Sequence, residues 1–226
     1  MMNLDNNTVQ HFPASRPHLS SSVVSSISAA EIGLQRQDEF AEPPVSLSVT
    51  TRTRGDKRNN NHPLTITYGI GRSWFGSCLI ATTSQGICWL DLKPRAESLN
   101  QLHRVWAPQH LLRDDKRASV LADEVFAEKP GVVVLHLCGT AFQLRVWRAL
   151  LQIVSGHYMN YGQLAACIGA PDSARAVGGA VGANGVALLV PCHRVLPSNT
   201  MVGSYRWGTE LKTALLQREC SAASAE

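Results

Sequence analysis

Residues 186–195 read Val186-Ala187-Leu188-Leu189-Val190-Pro191-Cys192-His193-Arg194-Val195. Five apolar residues in a row suggest a buried strand. Such a strand would deliver Cys192 to a fixed point, with Pro191 stiffening its exit. A thiol beside an imidazole and a guanidinium sits in positive potential, which favours the thiolate relative to a free cysteine of pKa about 8.5. The thiolate is the nucleophile, and an adjacent base can take its proton. A Cys-His dipeptide alone reads more simply as a structural cysteine beside solvated neighbours. The surrounding segments therefore decide.

Just upstream, Thr140 is placed to N-cap a helix whose apolar positions are Phe142, Val146, Trp147, Leu150, Leu151 and Val154, close to a 3.6-residue period. Asn160 caps a second helix, Tyr161–Ile168, with Gly169 just past its end. Pro171-Asp172-Ser173 opens a third, Ala174–Ala183. Three short helices with tight connections are similar to a helix-turn-helix unit. The third is built from small residues, including Gly178, Gly179 and Gly182, each costing about 1 kcal/mol of helix propensity relative to alanine. Two explanations stand: close packing against another helix, or close approach of a nucleic-acid backbone or groove. Asn184-Gly185 follows and is an ordinary turn pair.

Farther out, residues 62–137 read as a small supporting α/β unit. Leu64–Tyr68, Ser77–Thr83 and Ile87–Leu92 suggest strands, the last two joined by a Ser84-Gln85-Gly86 turn. Helices are expected near Ala96–Val105 and Ala118–Ala127, then a strand at Val132–Leu137. Residues 1–61 are rich in Ser, Asn and Pro and predict a disordered, low-complexity tail, with room for a short helix near Ala29–Gln37. Residues 138–220 form the remaining domain, and 221–226 a second short tail.

The chain has 226 residues, 44% hydrophobic and 17% charged. That composition supports one or two folded domains and excludes wholesale disorder. No apolar run approaches the ~20 residues of a membrane helix, and no secretory signal is evident. The formal net charge is +4, with the basic excess in residues 137–220, which permits a polyanion partner. The six cysteines form no C-x-x-C pair, so free thiols in a reducing compartment are expected. No Walker loop, dinucleotide fingerprint or metal box is present.

Taken together, these segments resemble the O6-alkylguanine-DNA alkyltransferases, also called methylated-DNA–protein-cysteine methyltransferases. The resemblance rests on Thr140-Ala141-Phe142-Gln143 with Val146-Trp147, Tyr161-Gly162-Gln163-Leu164-Ala165, Ala174-Arg175-Ala176-Val177-Gly178-Gly179-Ala180, Asn184, the Cys192 box and Gly203-Ser204-Tyr205-Arg206-Trp207-Gly208, all in family order. The last segment is most like the C-terminal module of Ada-type members. The likeness covers about residues 64–220.

The resemblance implies an α+β (α/β) fold: a small N-terminal ribonuclease-H-like sheet domain plus a C-terminal three-helix winged helix-turn-helix-like domain carrying the active site. It implies repair of O6-methylguanine, with O4-methylthymine as a second candidate lesion, by irreversible single-turnover transfer of the alkyl group to Cys192. His193 is then the base, acting through a bridging water, Glu219 its orienting carboxylate, and Asn184 the tie between helix and active-site turn. Tyr161, Arg175 and Arg194 are expected at the DNA, Arg175 filling the space of a flipped base. Val195, Gly203, Tyr205, Arg206 and Trp207 are expected to line the pocket. The implied partner is double-stranded DNA containing O6-alkylguanine, met by a monomer with no membrane contact, no cofactor and no metal. The implied location is cytoplasmic, nucleoid-associated in a bacterium or nuclear in a eukaryote.

Val154-Ser155 and Met159-Asn160 depart from the commoner family residues. No cysteine precedes Cys78, so the zinc-bound cysteine cluster of Ada-type N-termini, with its phosphotriester repair, is not expected. The competing readings are a DNA-binding regulator that uses the helix-turn-helix without transfer and a Cys-His hydrolase. The presence of Cys192 weighs against the first. The adjacency of Cys192 and His193 weighs against the second.

Overall fold

Strand Gly76–Thr83 is buried along most of its length and organises the N-terminal half. Its alternation sends Cys78 and Ile80 into one apolar cluster and Leu79 and Ala81 into another, as the two-residue period of a strand requires. In the computed structural model, which describes residues 27–40, 47–53, 64–107, 109–127 and 132–223, the elements run in this order. Helix α1 is Ala29–Ile32, and strands β1 to β5 are Gln35–Arg36, Leu47–Thr53, Leu64–Ser73, Gly76–Thr83 and Gly86–Asp91. There follow α2 (Ser98–Trp106), β6 (Gln109–Arg113), α3 (Asp115–Val125), β7 (Val133–Gly139) and α4 (Ala141–Leu150). Then come β8 (His157–Asn160), α5 (Tyr161–Cys167), α6 (Ala174–Gly182), β9 (Val195–Leu196) and α7 (Thr209–Ala223).

Six strands form one mixed sheet in the order β2-β7-β5-β4-β3-β6. The β3–β4–β5 run is antiparallel, while β2 and β5 pair with β7, and β6 with β3, in parallel. Helix α3 lies on one face. Gly69 and Gly71 let it come close: a Cβ at either would stand 2.7 or 2.5 Å from the Cβ of Ala118 or Ala122. Helix α2 covers the opposite face, burying Leu102 and Trp106 with Ile66, Leu79 and Trp89.

In the C-terminal half, Thr140 and Asn160 cap α4 and α5, each with a reciprocal glutamine at N3, the arrangement that satisfies two otherwise orphaned amides. Trp147 Nε1 donates to the Ala180 carbonyl at 2.8 Å and locks α4 to α6. A 3₁₀ turn at Pro171–Ser173 precedes α6. Strands β1, β8 and β9 form a small parallel sheet.

Three expectations are corrected. Within the presumed tail of residues 1–61, α1, β1 and β2 are folded. Leu47–Thr53 joins the sheet edge on β7, so Val49, Thr50 and Thr51 meet partners that a composition average hides. Ser28 and Glu31 make a capping box for α1, and Ala29 and Leu34 bury against Tyr158, Leu196, Val202 and Leu216. The rest of residues 1–61 lies outside the described residues. Next, Val186–Val190 is not a strand. Only Val186 bridges to Leu90, and the chain then turns through Leu188 at φ +64°; a short buried apolar run does not by itself distinguish strand from packed loop. Lastly, α7 continues to Ala223, into the stretch read as a second tail. Strand β6, beside β3, went unrecognised in the sequence.

Candidate active site

The loop from Asn184 to Arg194 hangs from one buried amide. Asn184 Nδ2 is shared among the carbonyls of Val186 (3.3 Å) and Val190 (2.9 Å) and the Cys192 sulfur (3.1 Å). Its Oδ1 accepts from the Val186 amide at 2.9 Å. An asparagine can serve donors and acceptors at once, so this side chain replaces the strand that the apolar run suggested. Gly185 permits the approach to the sheet, since a Cβ there would stand 2.4 Å from the Trp89 ring. Cys192 then opens a 3₁₀ turn, Cys192–Arg194.

Cys192 is only 4% exposed, yet it borders a cavity of about 340 Å³. Tyr161 from α5 and Gly178, Val181 and Gly182 from α6 form part of the wall, with Tyr205, Arg206, Trp207 and Lys212 completing most of the rest. The small-residue helix and the thiol thus share one space. A Cβ at Gly179 or Gly182 would meet nothing within 4 Å, and one at Gly178 only the Tyr161 ring at 3.8 Å. Packing against a neighbouring helix therefore does not account for Gly179 or Gly182.

Burial pushes the Cys192 thiol up from its ordinary value, because the thiolate loses solvation. Hydrogen bonds with Asn184 and Tyr205 and the charge of Lys212 pull in the other direction. The sulfur reaches Tyr205 Oη at 3.9 Å. Burial thus works against the thiolate that the basic neighbours were expected to favour. His193 is fully buried, and burial holds it below its ordinary value against the pull of Glu219. Glu219 is itself raised by burial, but His193 and Arg194 outweigh this and bring it down to about 2. An ionised Glu219 Oε1 at 2.8 Å must accept from His193 Nε2. That fixes the tautomer and leaves Nδ1, which has no hydrogen-bond partner in the buried site, with a free lone pair. Cys192, His193 and Glu219 have the residue types that a nucleophile, a base and an orienting carboxylate require.

The other expected residues divide. Tyr161, Tyr205, Arg206 and Trp207 line the cavity. Arg175 is exposed on α6. Arg194, expected at the DNA, is a correction: its guanidinium is committed to Glu219 at 2.8 to 3.1 Å and to the Ile153 carbonyl. It holds the carboxylate and is only 16% exposed along its side chain. Val195 and Gly203 do not line the cavity. Val195 is buried and its carbonyl takes the Lys212 ammonium at 2.8 Å, while Gly203 turns the chain at φ +70° against Pro197. Lys212 was missed. It shares an i, i+3, i+7 stripe with Leu215 and Glu219 on α7, a lysine on a buried face, and burial lowers it to about 8. Among the described residues no cluster of three His, Cys, Asp or Glu side chains could hold a metal, and no helix is long and apolar enough to cross a membrane.

Residues 141–221 match the family model for the 6-O-methylguanine DNA methyltransferase DNA-binding domain. A methylated-DNA–protein-cysteine methyltransferase of Mycobacterium tuberculosis is 50% identical over 136 residues, 57% of this chain and 82% of that protein. The chain belongs to this family. The bifunctional transcriptional activator/DNA repair enzyme Ada of Escherichia coli is 35% identical over 168 residues, 72% of this chain. The chain spans about half of Ada's length, 48%. The crystal structure of Mycobacterium tuberculosis OGT in complex with DNA superimposes with a TM-score of 0.56 at 33% identity, covering 69% of this chain and 93% of that one. For this methyltransferase-family chain, the Cys192 cavity is the site at which the family's chemistry must be tested.

Proposed function

We propose that this protein repairs O6-methylguanine in double-stranded DNA by moving the methyl group to the Cys192 sulfur. The observation that carries the reading is the cavity shared by Cys192 and α6, backed by the His193–Glu219 pair. A base stacked in a duplex does not reach a buried thiol, so the damaged nucleotide must leave the stack, at a few kcal/mol. Helices α5 and α6 act as a winged helix-turn-helix-like reader. The open surface at Gly179 and Gly182 admits the duplex, Arg175 fills the vacated position, and Tyr161 meets the backbone beside the flipped nucleotide.

His193 Nδ1 takes the thiol proton, across a bridging water, as the sulfur attacks the methyl carbon. The carbon–O6 bond breaks, its electrons remain on the purine, and a proton restores guanine at N1. One thioether forms and one guanine is released. The C–S bond of the thioether is inert to water and to thiols, so each molecule reacts once. O4-methylthymine presents the same alkyl–oxygen bond and is the next lesion to examine.

The test is incubation with a duplex carrying O6-methylguanine, followed by mass analysis. The Cys192 peptide should gain about 14 daltons, one methyl replacing one hydrogen at the nucleophile. Methyl transferred should level off at one per protein. Transfer well above that ratio, or a methyl on another residue, refutes the reading.

A further inference from the structure

The cavity wall is held from the N-terminal sheet. Asp91, at the end of β5, is buried and accepts from Trp207 Nε1 at 2.8 Å, Ser98 Oγ at 2.5 Å and the Lys93 amide at 2.9 Å. Trp207 stands against Tyr205, their ring centroids 5.0 Å apart. The Arg206 guanidinium lies 5.4 Å from the Trp89 ring centroid and 5.5 Å from that of Trp207. Arg206 donates to the Asn184 carbonyl at 3.0 Å and to Gln101 Oε1. Sequence-distant residues of β5 and α2 therefore fix two walls of a cavity whose nucleophile lies in the C-terminal half.

We propose that Asp91 is a positioning residue that sets the size of the alkyl group admitted to Cys192, through its hold on Trp207. The inference rests on the transfer reaction proposed above. A buried indole N–H without its acceptor costs the desolvation of that group, so the ring relieves the loss by turning toward another partner or toward solvent. A side chain with two χ angles then leaves a different wall. Asp91 does not line the Cys192 cavity and makes no hydrogen bond to the sulfur, so its effect must appear as selectivity rather than as loss of the nucleophile.

The experiment compares transfer from duplexes carrying O6-methylguanine and O6-butylguanine. In Asp91→Ala the butyl-to-methyl rate ratio should rise about tenfold, the lower end of what one methylene in an apolar pocket provides. Asp91→Asn keeps an acceptor for Trp207 and should stay within about twofold of the unmodified ratio. Trp207→Phe removes the indole donor and should move the ratio in the same direction. Combining it with Asp91→Ala should add little, the signature of one shared interaction. If Asp91→Ala does not fold, the contrast of Asp91→Asn with Trp207→Phe carries the test. An unchanged ratio in folded Asp91→Ala and in Trp207→Phe overturns the proposal. Labelling of Cys192 by iodoacetamide and by its bulkier N-phenyl analogue, read on the Cys192 peptide, gives a size ratio without DNA. Should the unmodified protein transfer from neither duplex, the functional reading fails, while this reagent ratio still upholds or overturns the role of Asp91.

Discussion

The centre of the six-stranded sheet and the Cys192 loop are both largely buried, but they are held by opposite means. The sheet is held by apolar side chains on both faces, with Thr83 and His136, 2.8 Å apart, an exception. The loop is held by buried polar groups: Asn184, His193, Lys212 and Glu219 each satisfy a neighbour. Apolar packing tolerates swaps that conserve volume. A buried polar network fails when one atom is removed, because the partner is left unpaired. The contrast teaches where single substitutions should separate stability from chemistry.

The sharpest break is at the nucleophile. Cys192→Ala should abolish transfer completely, while salt-sensitive DNA binding, followed by fluorescence anisotropy, persists. Glu219→Ala comes next. It leaves His193 and Arg194 without their carboxylate, and a broken buried ion pair typically costs about 3–5 kcal/mol. Thermal unfolding should show that loss, and transfer should fall by about 10²–10⁴-fold as the base loses its orientation. On the sheet side, Gly71→Val drives a side chain into Ala122. Overpacking of this kind costs about 1–3 kcal/mol. Its melting temperature should fall, while the rate of transfer at low temperature, measured on the folded fraction, stays near the unmodified value. The smallest effect is Ser28→Ala, which removes the capping box of α1 and should cost about 1 kcal/mol in thermal unfolding with no change in transfer.

The same contrast has a pH signature. The carboxyl of Glu219 lies near 2 when folded against an ordinary 4.5. Its stabilisation is present above pH 4.5 and is lost as pH falls from 4.5 toward 2. Lys212 lies near 8 when folded against 10.5, so the cost of burying its charge is present below pH 8 and is relieved as pH rises from 8 to 10.5. Lys212→Met should flatten the alkaline limb of a stability profile and leave the acid limb intact.

Much of the fold and site was legible where the signal is local. The Thr140 and Asn160 caps stand three residues before the glutamines that complete them, and both boxes form. Cys192, His193 and Glu219 come together with Asn184 because motif order along the chain carried them. What stayed hidden depends on partners far away in sequence. Leu47–Thr53 is a strand only because β7 lies beside it. The run Val186–Val190 turns because Asn184 offers it a hydrogen-bonding frame. The resemblance placed Arg194 at the DNA, whereas Glu219, from a different element, draws it inward. Asp91 carries no motif at all, and its connection to Trp207 appears only once β5 and the loop before α7 are in contact.

The parallel pairing of β2 with β7 has a consequence for biosynthesis. Val49 sits opposite Leu135, and Gln35 of β1 opposite His157. A chain emerging amino end first holds these early segments unpaired until residues 133–160 leave the ribosome, because their strand partners among the described residues, β7 and β8, come that late. The edge of the large sheet is thus completed after its antiparallel centre, and a nascent chain halted before residue 133 carries Leu47–Thr53 with nothing to pair against.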